Sequence, residues 1–136
     1  MLPPRYTAGL LEYQARRQRE LIRKSQKEYE ETGLVKTRPK VSDKPTPRSQ
    51  HAAKFERTYG YKISEIPKVK RDFPDTDVDM ILSKGRAAYA SSGSRPNVSP
   101  EAWAKARLAS VLTGGKALKI DKDLVGSKSL EKISMS

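Results

Sequence analysis

The sequence predicts a mainly α protein: a small, irregular helical domain with a long N-terminal helix and extended arms. Three observations predict it. Helix start and stop signals recur along the chain, clearest where Ser99-Pro100-Glu101 opens a run that Gly114-Gly115 closes. Prolines cluster between 33 and 50, where they forbid a continuous helix. Hydrophobic residues make up 35% of the 136 positions and charged residues 32%, with a mean hydropathy of −0.77, so only part of the chain can enter a core.

The first element is predicted from Thr7, a capping residue, to Glu31, with Gly33 placed to close it in a left-handed conformation. Its apolar positions, Leu10, Leu11, Tyr13, Leu21, Ile22 and Tyr29, form broken patches and not a heptad seam. Such a helix gains little by folding alone, so residues 1–32 read as a charged helix, either solvated all round or docked on something else through its thin apolar stripe. Residues 33–50 carry Pro39, Pro45 and Pro47 and almost no large apolar side chain, which reads as a linker in an isolated chain and, within an assembly, as an extended arm along a neighbour. The compact part is expected over 51–124. It begins with a short helix from His51 to Tyr59, ended by Gly60, and continues through an extended Tyr61 to Pro67 anchored by Ile63 and Ile66. The next helix should start near Asp75 or Thr76, with Val78, Ile81, Leu82, Ala88 and Tyr89 on its buried face. In the Ser99-capped helix, Ala104, Leu108, Val111 and Leu112 share one face, and Trp103 is expected as the largest contact of the core. Residues 116–136, including the tail 125–136, read as extended and weakly structured.

The chemical constellations are sparse. Cysteine is absent and His51 is the only histidine, which removes disulfides, thiolate nucleophiles and the usual zinc sets. Asp75, Asp77 and Asp79 have the spacing that opens a calcium loop, but Arg86 stands where its bidentate glutamate belongs, so capping explains them better. Lys68-Val-Lys-Arg71 is a short basic cluster of the kind that arises often by chance. Thr113-Gly-Gly-Lys116 fails as a phosphate loop, because Ser110 occupies the position of the first glycine. Ser91-Ser-Gly-Ser-Arg-Pro-Asn97 is the most distinctive loop. Either its amides around Gly93 form an anion nest closed by Arg95, or it is a turn that aims the following helix, the reading favoured by ordinary glycine and proline roles. No catalytic, cofactor or metal site emerges, and the expectation is a protein that is not an enzyme and has no small-molecule substrate.

Charge supplies the main clue to partners. There are 28 Lys and Arg against 16 Asp and Glu, a formal charge of +12, which attracts polyanions and acidic protein surfaces. The excess is spread along the chain, with +6 over residues 1–50 and +3 in each of 51–100 and 101–136. No block of five consecutive like charges marks a histone-like tail. No apolar run approaches the ~20 residues that span a bilayer, and the opening Met1-Leu-Pro-Pro-Arg5 lacks the apolar stretch of a secretory signal.

Ala88-Tyr-Ala-Ser-Ser-Gly-Ser-Arg-Pro-Asn97, then Trp103 with Ala106-Arg-Leu-Ala-Ser110, then Thr113-Gly-Gly-Lys-Ala117 and Asp121, resembles a short uncharacterised domain in proteins of large nucleocytoplasmic DNA viruses, the chlorella-virus group foremost. The resemblance covers about Ile81 to Leu124, a third of the chain, and brings no activity with it. It implies a viral origin and, for a small basic protein with long arms, a virion component. The leading expectation is therefore a minor capsid protein that bridges or cements major capsid subunits, its partners being other capsid proteins. Leu10, Leu11, Leu21 and Ile22 would dock its first helix, Arg38, Lys40 and Arg48 would meet acidic capsid surface, and Arg95 and Trp103 would add contacts. The alternative is a basic nucleic-acid-binding protein, in genome packaging or a ribosomal subunit.

Overall fold

Seven α-helices make up most of the regular structure in the computed structural model, which describes residues 2–136. They are α1 Glu12–Thr32, α2 Gln50–Tyr59, α3 Ile66–Asp72, α4 Val78–Ser91, α5 Pro100–Leu112, α6 Lys116–Asp121 and α7 Ser127–Met135. Two 3-10 turns, Pro4–Tyr6 and Lys122–Leu124, complete the set. Among the described residues the only extended pairing is an isolated antiparallel bridge between Thr76 and Val125. The mainly α expectation holds.

Contacts group the chain into two units, the first made of residues up to Pro47 with Arg86–Trp103, the second of Arg48–Gly85 with Ala104–Ser136. This differs from the expected compact block at 51–124, since the N-terminal helix and the proline-rich segment pack on part of their own chain. In the first unit, α1 starts at Glu12, five residues later than predicted. Gly9 takes a left-handed φ of 79°, Thr7 is consumed by the preceding 3-10 turn, and the Gln14 carboxamide accepts the Leu11 N–H at 3.0 Å in place of a hydroxyl cap. The end falls as expected, with Gly33 left-handed at φ 71°. Ala15, Gln18, Leu21 and Ile22 form the buried face, a spacing of three, four and seven that lines one side of a helix. Leu21 and Ile22 therefore serve this unit's own packing and are closed to a partner.

The second unit holds a core of Phe55, Ile63, Val69, Phe73, Ile81, Leu108, Leu112 and neighbours. Phe55 meets Tyr59 at 4.9 Å and Tyr61 edge-on at 5.3 Å, and Tyr59 meets Phe73 edge-on at 5.2 Å, geometries favoured by the ring quadrupole. Ser49 caps α2 through the Ala52 N–H and Gly60 ends it in the left-handed region. Between Tyr61 and Pro67 an extended run was expected; Ile63 and Ile66 do anchor it, but α3 begins at Ile66 because Pro67 suits a first helical turn. The basic cluster lies on this helix, each cation near a carboxylate: Lys68 with Glu65, Lys70 with Asp79, Arg71 with Asp72. In α5, Ala104, Leu108, Val111 and Leu112 are fully buried as predicted.

The C-terminal segment corrects the sequence reading most. Residues 116–136 are not an extended tail: they form α6, a 3-10 turn and α7, with Val125 and Ile133 in the core and Leu118, Leu124 and Leu130 packed against it. A distant side chain makes this possible. Asp75 accepts the N–H groups of Lys128 at 2.9 Å and Ser129 at 3.3 Å and the Ser129 hydroxyl, capping α7 from 53 residues away. The three aspartates thus divide their work: Asp75 caps α7, Asp77 accepts the Met80 N–H at 3.1 Å to cap α4, and Asp79 pairs with Lys70 at 2.9 Å.

Two outcomes follow. A Cβ added at Gly85 would lie 2.6 Å from the Ala104 Cα and 3.0 Å from its Cβ. Gly85→Ala should thus lower the denaturant midpoint by an amount equivalent to about 1–3 kcal/mol, despite the ~1 kcal/mol that alanine gains over glycine in a helix. Hydrogen bonding by the Ser129 hydroxyl, reinforced by the Ser129 and Lys128 amides and opposed by desolvation, holds the Asp75 carboxyl below its ordinary 3.8. Its contribution is present above that value and lost as pH falls through the lowered one. Stability measured against pH should show a weaker acid limb in Asp75→Asn than in the parent chain.

Candidate functional site

The segment with the densest polar convergence is the loop from Ser91 to Asn97 in the first unit. Helix α4 ends there, with the Ser92 and Gly93 amides both donating to the Ala88 carbonyl at 2.9 and 3.2 Å. Gly93 has φ 126° and lies against Tyr6 and Ile22, where an added Cβ would sit 2.9 Å from the Tyr6 ring and 3.1 Å from Ile22. Only glycine meets both demands at this position. The loop carbonyls are then taken by α1: the Gln18 side chain donates to Ser94 O at 3.3 Å and Gln26 to Ser92 O at 3.2 Å.

The guanidinium that meets this loop is Arg38, not Arg95. Arg38, 8% exposed, reaches in from the proline-rich segment and donates to Tyr89 O at 2.7 Å, Ser94 Oγ at 2.7 Å and Ser25 Oγ at 3.0 Å. Its plane stacks on the Tyr89 ring at 3.7 Å, and its backbone N–H donates to the Tyr89 hydroxyl at 2.9 Å. All of these partners are neutral. Burial pulls the Arg38 pKa below the ordinary arginine value, with Tyr89 and Tyr6 opposing; the group stays a cation and is held by dipoles and a π face. Asn97 fixes the same segment a few residues on. Left-handed at φ 63°, it accepts the Val41 N–H at 2.9 Å and donates to Ser42 O, Ser42 Oγ and Lys44 O at 3.0 to 3.4 Å. Its own carbonyl accepts the Thr46 hydroxyl at 3.1 Å. The segment expected as an arm along a neighbour is therefore a strap on its own unit, and the loop is the turn that the sequence favoured over an anion nest, its Ser92 and Gly93 amides being taken by the Ala88 carbonyl.

The other singled-out residues are dispersed. Leu11 is 62% exposed, and Leu10 is half-buried. Lys40 and Arg95 are exposed, as is Arg48, which pairs with Glu56 of α2. Trp103 is half-buried and meets Tyr6 edge-on at 6.0 Å, so it belongs to the first unit and not to the larger core. Among the described residues, Arg16, Arg17, Arg23 and Lys27 on the outer side of α1 are exposed and have no ion-pair partner, beside an exposed Leu11 and Tyr13. The Thr113-Gly-Gly-Lys116 run is the tight turn from α5 to α6, where Ser110 accepts the Gly115 amide on its carbonyl at 2.7 Å and the Ala117 amide on its hydroxyl at 3.3 Å. Close by in sequence, Arg107 grips the fully buried Asp121 bidentately at 2.8 Å, with Lys84 at 3.6 Å; this hydrogen bonding raises the Arg107 pKa. Among the described residues no group of three His, Cys, Asp or Glu could hold a metal ion, and no helix is long and apolar enough to cross a membrane.

Sequence reasoning missed Ser25, Tyr89 and Asn97 as partners of the strap. Asn97 carried a signal, since asparagine after Arg-Pro is among the few residues that accept a left-handed turn. The others carried none. A family model matches residues 3–126, spanning α1, the strap, the loop and most of the second unit. The chain belongs to the family of unknown function DUF5824. No curated protein and no solved structure matches it significantly. The DUF5824 match is far longer than the third of the chain singled out from its motifs, and it ends at Gly126, just ahead of α7.

Gly93→Ala should cost about 1–3 kcal/mol through strain and overlap combined. Because Trp103 is the only tryptophan and contacts Tyr6, which lines the Gly93 site, its emission should shift to the red in this variant. Unchanged emission and an unchanged midpoint would contradict the packing described.

Proposed function

We propose that this chain is a structural virion component without enzymatic activity, a minor capsid protein that bridges major capsid subunits. The observation that carries the reading is the division of labour among its polar groups. The most distinctive motif, 91–97, is spent on holding α1 and the strap, whereas the outer side of α1 offers Tyr13, Arg16, Arg17, Arg23 and Lys27 to solvent, with Leu11 exposed just ahead of the helix. Tyrosine and arginine are among the residue types that carry binding energy at protein interfaces. The resemblance of residues 81–124 to a domain of large DNA viruses supplies the viral setting. The docking role moves accordingly from Leu21 and Ile22, which are buried, to this outer face.

The exposed, unpaired cations also favour a second reading, a basic nucleic-acid-binding protein of genome packaging or a ribosomal subunit. Fractionated particles separate the two. A capsid role predicts that the chain stays with the shell in fixed ratio to the major capsid protein after the genome is released. Departure with the genome, together with duplex affinity falling with a log–log salt slope near −0.9 per phosphate contacted, would assign it to packaging instead. Absence from particles would overturn the virion assignment. The paired reversal Arg16→Glu with Arg23→Glu, at exposed positions, should change stability by no more than about 0.5 kcal/mol yet abolish retention by the shell.

A further inference from the structure

The strap over residues 34–47 is held by an unusual balance of forces. Its anchors are polar: Arg38 in the slot formed by Ser25, Tyr89 and Ser94, and the backbone of 41–46 on Asn97. Arg38 is the only fully buried side chain it contributes; Val35 and Val41 are half-buried, Leu34 is 60% exposed, and Lys40, Asp43, Lys44, Pro45, Thr46 and Pro47 lie at the surface. Burial of apolar area, the main cohesive force of folded chains, contributes little here. The one buried group is a cation with no carboxylate partner, and a guanidinium finds its strongest complement in a bidentate carboxylate.

We infer that the strap is a releasable latch, and that an acidic protein surface opens it by competing with the Ser25–Tyr89–Ser94 slot for Arg38. The slot offers neutral acceptors and a ring face; a carboxylate cluster offers charge-assisted pairing. Exposed Lys40 would be drawn to the same surface, as would Lys36 and Lys44 on leaving Glu28 (3.9 Å) and the Gly9 carbonyl (2.7 Å). With Pro39, Pro45 and Pro47 the released segment stays extended, so little further ordering is needed when it lies along a partner. Such low-stability segments open locally while the rest of a protein stays folded. This deepens the capsid reading by naming how a neighbour engages the chain, and it is tested on the isolated protein, so either can fail alone.

Amide hydrogen exchange on the full chain reads the latch directly, because the Arg38 and Val41 amides are both held by it. They should exchange at least about 100-fold faster than Ile22 of α1, with rates independent of low denaturant, the signature of local opening. Tyr89→Phe, which removes the acceptor of the Arg38 N–H, should speed that amide about tenfold and leave α1 unaffected. If Tyr89→Phe fails to fold, Asn97→Gly serves, since glycine keeps the left-handed backbone while releasing Val41. Polyglutamate at low salt should speed exchange at both amides, and polylysine should not. Strap amides that exchange only with global unfolding would overturn the latch; strap exchange unmoved by polyglutamate would overturn its acidic opener.

Discussion

Backbone N–H and C=O groups that leave water must find partners, and outside helices this chain meets that demand with side chains far away in sequence. Asp75 serves the first amides of α7, Asn97 serves the strap, and Arg38 and Gln18 serve carbonyls at 89 and 94. A chain with so few apolar residues cannot rely on a large core to hold its connecting segments. It relies on polar ties, each modest in net free energy but costly to leave half made. The two units differ in how far this goes. The second is organised by an aromatic and aliphatic core with Asp75 as a polar supplement, whereas in the first polar ties fasten the strap and the loop beside a smaller apolar cluster that includes Tyr6, Leu21, Ile22 and Tyr89.

That contrast explains what could be read from the sequence. Signals local to a segment were legible: Ser99 as a cap, Gly33 and Gly60 as helix ends, and the buried face of α5, because each depends on residues within one or two turns. The C-terminal helices were not legible. Their lysine-and-serine composition argued for an extended tail, and the group that caps the Lys128 amide at the start of α7 is an aspartate 53 residues earlier. The strap was misread for a similar reason: proline and charge correctly forbade a helix, but nothing near Arg38 in sequence announced a slot built by Ser25, Tyr89 and Ser94.

The candidate site was legible in location and not in content. The loop from Ser91 to Asn97 stood out, and a turn was the favoured reading, yet the arginine in contact with it proved to be Arg38, with Arg95 left at the surface. The loop works as a receptacle for its own chain. The proposed binding role therefore falls on the outer face of α1, where Arg16, Arg17, Arg23 and Lys27 are exposed, and on the strap, where Arg38 is buried among neutral partners.

The close passage of Gly85 against Ala104 has a mechanical corollary. Where two helices touch through main-chain atoms, no rotamer intervenes between them, so the crossing has no soft degree of freedom and resists both shear and repacking. Strain applied to this protein by a tethered neighbour would therefore be dissipated in its non-helical spans, while the junction of α4 with α5 keeps its geometry as a stiff fulcrum.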